Sequence, residues 1–138
     1  MRISIFGLGY VGAVCVGCLS QRGHDIVGVD VAQTKIDLIS AGKSPIVEPG
    51  LEALLGAGVS SGRIRGTTDV AEAIEQTDLS FICVGTPSRK TGDLDLSYVE
   101  SVCRQIGAQL RHKSSRHTIV IRSTILPGTI RKLVIPCL

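Results

Sequence analysis

The chain reads as an α/β protein built on a doubly wound parallel sheet of about five strands. Short β-prone runs begin near residues 3, 25, 63, 79 and 118, and helical patterns fill the intervals. That alternation makes a parallel sheet with crossover helices on both faces. Residues 79–85 (LSFICVG) are apolar almost without alternation, as strands covered on both faces are.

Taken in order, residues 3–6 (ISIF) form the first strand and end in Gly7. Residues 10–22 carry apolar and small side chains at helical spacing, closed by Gly23. Residues 25–30 (DIVGVD) are the second strand, and 34–41 a short helix stopped by Gly42. Pro45 and Pro49 keep KSPIVEPG irregular, after which a helix spans roughly 50–57. Residues 63–68 are a weak third strand, and Asp69 is placed to cap a helix over 70–76. The polar loop after strand four leads to a helix over 97–111, where Ser97 and Glu100 have capping-box spacing. Residues 118–122 (TIVIR) form the fifth strand. No sixth strand is found, although full dinucleotide-binding sheets commonly have one.

The 138 residues suit one domain over 1–138, or part of a larger protein. With 43% hydrophobic and 20% charged residues the chain is globular. A mean hydropathy of +0.31 hints at apolar surface meant for another part of a protein. No apolar run approaches the ~18 residues of a bilayer span, and Met1-Arg2-Ile3-Ser4 enters a strand with no cleavage site, so neither membrane nor signal peptide is expected. A net charge of +3 and only four aromatic residues argue against a nucleic-acid partner. The five cysteines lie in apolar surroundings, which fits reduced thiols in a cytoplasmic protein better than a disulfide framework. Cys15 and Cys18 form a C-x-x-C, but i and i+3 share a helix face, and no second Cys/His pair stands at zinc-finger spacing. Both are therefore expected in the core, with no metal site.

The chemistry gathers at strand ends. Gly7-Leu8-Gly9-Tyr10-Val11-Gly12 is a G-x-G-x-x-G between a strand and a helix, the context that makes this pattern meaningful. Gly7 permits the tight turn, Gly9 lets a pyrophosphate approach bare backbone, and Gly12 lets helix and strand pack closely. The helix N-terminus offers unpaired N–H groups to the phosphates. Asp30 ends the second strand 18 positions after Gly12, where a carboxylate accepts from ribose hydroxyls and repels a 2′-phosphate, favouring NAD over NADP. On spacing alone, Lys35 serves equally as a cofactor contact or a surface lysine. Thr86 and Thr124 follow strands four and five, so they suit either the nicotinamide half of the cofactor or ordinary turn chemistry.

The stretches FGLGYVGAVCVGCL, GVDV with Lys35, KSPIVEPGLEALL, FICVGTPS, GDLDLSYVE and IRSTILPGT occur in that order. Together they resemble the amino-terminal, Rossmann-type part of the UDP-glucose/GDP-mannose dehydrogenase family, over essentially the whole chain. SPIVEPGLE, CVGTPS and the GCL in the first helix point to its GDP-mannose branch, with the UDP-glucose branch as the alternative. The resemblance implies oxidation of the sugar C6 hydroxyl to a carboxylate with two NAD in turn, giving GDP-mannuronate for alginate. It also implies NAD contacts at Tyr10, Val11, Asp30, Lys35, Thr86 and Thr124, those of Tyr10 and Val11 through main-chain groups. Glu48 is a weaker candidate for shaping the cofactor side. S-adenosylmethionine methyltransferases share a glycine-rich first loop, but Pro87, the PGT turn and these motifs argue against them.

One departure matters. Members of the family carry their nucleophilic cysteine in a Gly-Gly-x-Cys-Leu-Pro-Lys-Asp-type motif within later domains, and no such motif stands here. Cys83, read as part of a buried strand, is expected to be protonated and inert. No catalytic residue is therefore assigned. The chain is expected to be a fragment, inactive alone, acting with GDP-mannose and as a homo-oligomer only in a longer enzyme; a non-catalytic dinucleotide-binding module is the other reading. With the usual strand order 3-2-1-4-5, strand five is an open edge with the terminal LVIP run near it, and open edges invite pairing between chains. The 138-residue chain is therefore expected to self-associate; sedimentation as a clean monomer over days would contradict this.

Overall fold

The computed structural model describes all residues, Met1–Leu138. Five strands form one fully parallel sheet: β1 (Arg2–Phe6), β2 (Asp25–Val29), β3 (Ile64–Thr67), β4 (Leu79–Ile82) and β5 (Thr118–Ile121), in the order β3-β2-β1-β4-β5. The register sets the carboxyl ends level, Phe6 facing both Val29 and Ile82, and Ile82 facing Ile121. The residue after each end therefore opens onto one rim.

Alternation along the strands divides the core. On one face Ile3, Ile5, Ile26 and Ile64 pack under α1 (Tyr10–Gln21), α2 (Gln33–Ser40) and α3 (Leu51–Ser60), with Val16, Ile39 and Leu55 fully buried. On the other Phe6, Val27, Val29 and Ile82 meet α4 (Val70–Gln76) and α5 (Ser97–Leu110) through Ile74, Val99, Cys103 and Ile106. The Asp69 carboxylate caps α4, accepting from the N–H groups of Ala71 (2.8 Å) and Glu72 (3.2 Å). No helix is long and apolar enough to cross a membrane.

Several expectations are corrected. β4 stops at Ile82, so Cys83 to Gly85 form the outgoing loop, although Cys83 N–H still bonds to Phe6 O at 2.8 Å. Ser97 and Glu100 make no capping box: Asp95, two residues ahead, takes the Ser97 N–H (3.0 Å), while Arg104 one turn on engages Glu100 (2.7 Å). The Ser97 N–H first, with the Ser97 hydroxyl and Arg89 also contributing, holds the half-buried Asp95 carboxyl at about 2. The terminal segment is helical and packs in the same core cluster as Ile119 and Ile121 of β5. A π-helical turn (Ile130–Val134) and a short α6 (Ile135–Cys137) cross to α5 and bury Val134 in the second core. There Gly107 has no room for a side chain, since a Cβ would stand 2.3 Å from the Cys137 carbonyl oxygen. Cys103 is buried as expected, its thiol pushed up to about 11 by burial. Cys18 is exposed and Cys15 half-buried: the two share one face of α1, but only Cys15 packs against the core. No group of three or more ligating side chains gathers anywhere.

The amino-terminal rim is closed by a polar network. Ser4 Oγ meets Ser80 Oγ at 2.6 Å, Ser80 Oγ meets His117 Nε2 at 2.8 Å, and Thr77 Oγ1 donates to Ala73 O at 2.7 Å. Lys113 Nζ donates to the carbonyls of Ile74 (2.6 Å) and Thr77 (2.8 Å) at the end of α4. His117 Nδ1 faces the Thr77 carbonyl at 3.1 Å. A carbonyl only accepts, so Nδ1 carries the hydrogen and Nε2 is left to accept from Ser80. Burial first, and the Lys113 charge second, lower the His117 pKa below its ordinary 6.5. The unfolded chain therefore takes up this proton first as pH falls, and stability present above the unfolded pKa drains away toward the lower folded one. The urea midpoint is expected to fall between pH 7.5 and pH 5.5, and His117→Gln to flatten that fall over the upper part of the range.

Candidate functional site

The opposite rim is built for a ligand. After β1 the chain turns at Gly7, whose φ of +93° suits glycine and whose N–H bonds to Val29 O at 2.8 Å. Leu8 is buried, and Gly9 is the N-cap of α1 with nothing within 4 Å of where a Cβ would stand. A Cβ on Gly12 would lie 1.8 Å from the Gly7 carbonyl oxygen, so only glycine lets α1 start this close to the turn. Ala13 is the first residue to bond back, to Gly9 O at 2.9 Å. The N–H groups of Tyr10, Val11 and Gly12 therefore face out of the helix end, with no side-chain cap and no acidic residue in the first turn.

Asp30 lies beside this turn, its side chain only 7% exposed. Oδ2 accepts from Leu8 N–H at 2.8 Å and from Lys35 Nζ at 3.0 Å, and Oδ1 accepts from Ala32 N–H at 3.0 Å. Burial alone would raise its pKa, but the Ala32 and Leu8 N–H groups and the Lys35 ammonium outweigh it and hold the carboxyl below its ordinary value. A carboxylate has about four acceptor positions; three are used, and one on Oδ1 remains.

Gly7, Gly9, Asp30 and Lys35 line one cleft of about 290 Å³. Its other wall was missed by sequence reasoning: Tyr98, Val102 and Gln105 at spacings of four and three along α5, with Val70 from α4. That periodicity was visible, but nothing in it said that this stripe faces a cleft. Cys83 also lines the cleft and is half-buried in the loop rather than buried in a strand.

Tyr10 and Val11 stand exposed at the start of α1. The Tyr10 hydroxyl donates to the Glu48 carboxylate, pinning the proline-rich loop against the glycine turn. Thr86 and Thr124 are outside the cleft lining but meet each other, Thr86 Oγ1 donating to Thr124 O at 2.9 Å. Ser123, not singled out as a ligand residue, ties the same two loops through Val84 O at 2.6 Å.

The cleft opens between β1 and β4, where the winding of the sheet reverses and open parallel sheets take their ligands. A glycine turn feeding a bare helix end there, with a carboxylate one strand over, makes this a dinucleotide-binding domain of the Rossmann type. Residues 1–138 match the UDP-glucose/GDP-mannose dehydrogenase family, NAD binding domain, and the chain belongs to that family. It is 73% identical over its whole length to GDP-mannose 6-dehydrogenase of Pseudomonas savastanoi pv. phaseolicola, spanning 32% of that protein. It superposes with a TM-score of 0.98 and 69% identity on a ternary complex of GDP-mannose dehydrogenase from Pseudomonas aeruginosa, covering 99% of this chain and 31% of that one. A UDP-glucose dehydrogenase from Pyrobaculum islandicum gives 0.94 and 42%, covering 99% of this chain and 32% of that one. The chain thus spans about a third of the length of the relatives it matches.

The residues present fit NAD: the helix end suits a diphosphate, Oδ1 of Asp30 has an acceptor position for a ribose hydroxyl, and Gly9 leaves its side of the turn open. The Glu48 carboxylate raises the Tyr10 pKa, chiefly by accepting its hydrogen bond. Glu48→Gln is therefore expected to lower the midpoint of phenolate formation at Tyr10, followed by ultraviolet absorbance titration. With two tyrosines in the chain, Tyr98→Phe isolates the signal.

Proposed function

We propose that this chain is the NAD-binding part of a GDP-mannose 6-dehydrogenase, a longer enzyme that oxidises the C6 hydroxyl of GDP-mannose to the carboxylate of GDP-mannuronate, for alginate-type polysaccharide. The observation that carries the reading is Asp30, which lines the cleft, is held by Leu8 N–H and keeps one acceptor position on Oδ1. Identity supports the sugar: 69–73% to the two GDP-mannose enzymes above against 42% to the UDP-glucose enzyme.

In this reading the main-chain N–H groups of Tyr10 and Val11, with Gly7, Gly9 and Gly12 keeping the turn bare, receive the diphosphate. Asp30 accepts from the adenosine ribose, and Lys35 stays at its side to balance the buried charge. Thr86 and Thr124, joined across two strand ends, present hydroxyl and main-chain groups to the nicotinamide half. When bound, each of two successive NAD molecules would supply the hydride acceptor for one of the two oxidations. The chain's own task is to hold and aim it.

None of the five cysteines is proposed as the sugar's nucleophile. Cys103 is buried, and Cys83 is a thiol whose pKa is raised, first by its hydrogen bond to Cys15 and then by burial. The thiol that forms the covalent intermediate is proposed to come from a later domain, as are the sugar-nucleotide contacts and the homo-oligomer interface.

Asp30→Ala is expected to weaken NAD binding by about tenfold or more, the scale of a hydrogen bond to a charged group, and to narrow the preference over NADP. Calorimetric titration of both dinucleotides into both proteins reads this directly. Equal NAD affinities would remove Asp30 from the site.

A further inference from the structure

The α5 wall of the cleft carries two polar side chains that the cofactor reading leaves unused. Tyr98, Ser101, Val102 and Gln105 line the cleft together with Val70 of α4 and with Val31, the residue after Asp30. Val31 is 93% exposed and Tyr98 57% exposed, apolar surface that a flat ring would cover. Ser101 and Gln105 stand one turn apart on α5, and Gln105 Nε2 donates to Ser101 Oγ at 3.2 Å. That bond decides which groups remain. The amide oxygen Oε1 is left to accept, and the hydroxyl, already accepting, is left with its hydrogen to donate. The wall therefore offers an acceptor and a donor side by side, among apolar side chains.

We propose that Gln105 and Ser101 select the base of the dinucleotide, taking a 6-aminopurine and refusing a 6-oxopurine. The inference deepens the NAD reading above and rests on it. In that reading the diphosphate lies at the start of α1 and Asp30 takes the adenosine ribose. The nicotinamide half goes toward Thr86 and Thr124, which are outside the cleft lining. The base on the Asp30 ribose is left the stretch of cleft between Val31 and α5. Adenine carries an N6 amine that donates beside an N1 that accepts. Gln105 Oε1 takes the first and the Ser101 hydroxyl serves the second. Hypoxanthine and guanine carry an O6 that accepts beside an N1–H that donates, the reverse at both positions. Their O6 would meet Oε1 and their N1–H would face the serine hydrogen. Groups mismatched in this way lose water without gaining a partner.

Such selection has a use in the proposed enzyme. Its cofactor and its sugar nucleotide both carry a diphosphate, which a bare helix end does not tell apart. They differ in the base, adenine in one and guanine in the other. The polar pair on α5 keeps the guanine nucleotide out of the dinucleotide cleft.

The test is calorimetric titration of the chain with NAD and with the two analogues in which hypoxanthine or guanine replaces adenine, repeated on Gln105→Leu, Gln105→Lys and Ser101→Ala. Both side chains are exposed on α5, so these variants leave the core untouched. NAD is expected to bind more tightly than either analogue by about tenfold or more, the scale of two displaced hydrogen bonds. Gln105→Leu and Ser101→Ala should each narrow that ratio, chiefly by weakening NAD. Gln105→Lys, which offers only donors, should turn the preference toward the 6-oxo bases. Equal affinities of the unaltered chain for the three dinucleotides overturn the proposal, as does a ratio that any of the three variants leaves unmoved. A chain that binds none of the three overturns the cofactor reading, and this proposal with it.

Discussion

The hydrogen bond from Leu8 N–H to Asp30 Oδ2, 2.8 Å long and buried, ties the turn after β1 to the end of β2. Without it the glycine turn would hang on the Gly7–Val29 main-chain bond alone, and Asp30 would be a buried charge facing only Lys35 and Ala32. A buried carboxylate is stable only when donors surround it, and here the donors are the loop that must be ordered. The same bond thus satisfies the anion and shapes the helix end. Gly12 completes the constraint from below, since its missing Cβ brings α1 down to the Gly7 carbonyl.

The two rims of the sheet divide the labour. At the amino-terminal rim the polar groups consume one another: Ser4, Ser80 and His117 form a chain, Thr77 bonds back to α4, and Lys113 caps the α4 carbonyls. No buried polar side-chain atom anywhere lacks a partner. At the carboxyl-terminal rim the unpaired groups are main-chain N–H groups at an exposed helix end, so they cost little with water present and are available to an anion. The apolar wall of Val70, Tyr98 and Val102 opposite Asp30 gives that rim a dry side and a charged side.

Most of the fold was legible because its signals are local. The strand and helix alternation and the glycine turn each depend on neighbouring residues, and the order β3-β2-β1-β4-β5 follows from the usual winding of such sheets. The errors came where distant or competing groups decide. Asp95 outbid Ser97 for the start of α5 because two-residue reach suits its carboxylate, and Arg104 drew Glu100 away. The helical form of the terminal LVIP run was not read, and it buries Val134 beside α5, where the missing side chain at Gly107 lets the chain end settle. In the site, Asp30 and the glycines were readable from spacing. The Tyr10–Glu48 bond and the Thr86–Thr124 bond each join residues 38 positions apart, and no local pattern announces them.

The arrangement of Asp30 and Lys35 changes the argument for NAD over NADP within the proposed function. Simple repulsion between Asp30 and a 2′-phosphate is weakened here, because the Lys35 ammonium lies 3.0 Å from the carboxylate and nearly cancels its charge at a distance. What remains is short-range chemistry. The carboxylate is held ionised by three donors, so it can only accept, and its open position calls for a donor. A ribose 2′-hydroxyl is one; a phosphate oxygen at neutral pH is not, and would meet Oδ1 as acceptor against acceptor. Lys35 does not rescue the phosphate without leaving Asp30, whose buried charge would then lose its counter-ion. On the proposed reading, selectivity would rest on the remaining Oδ1 acceptor position, with Lys35 held at Oδ2.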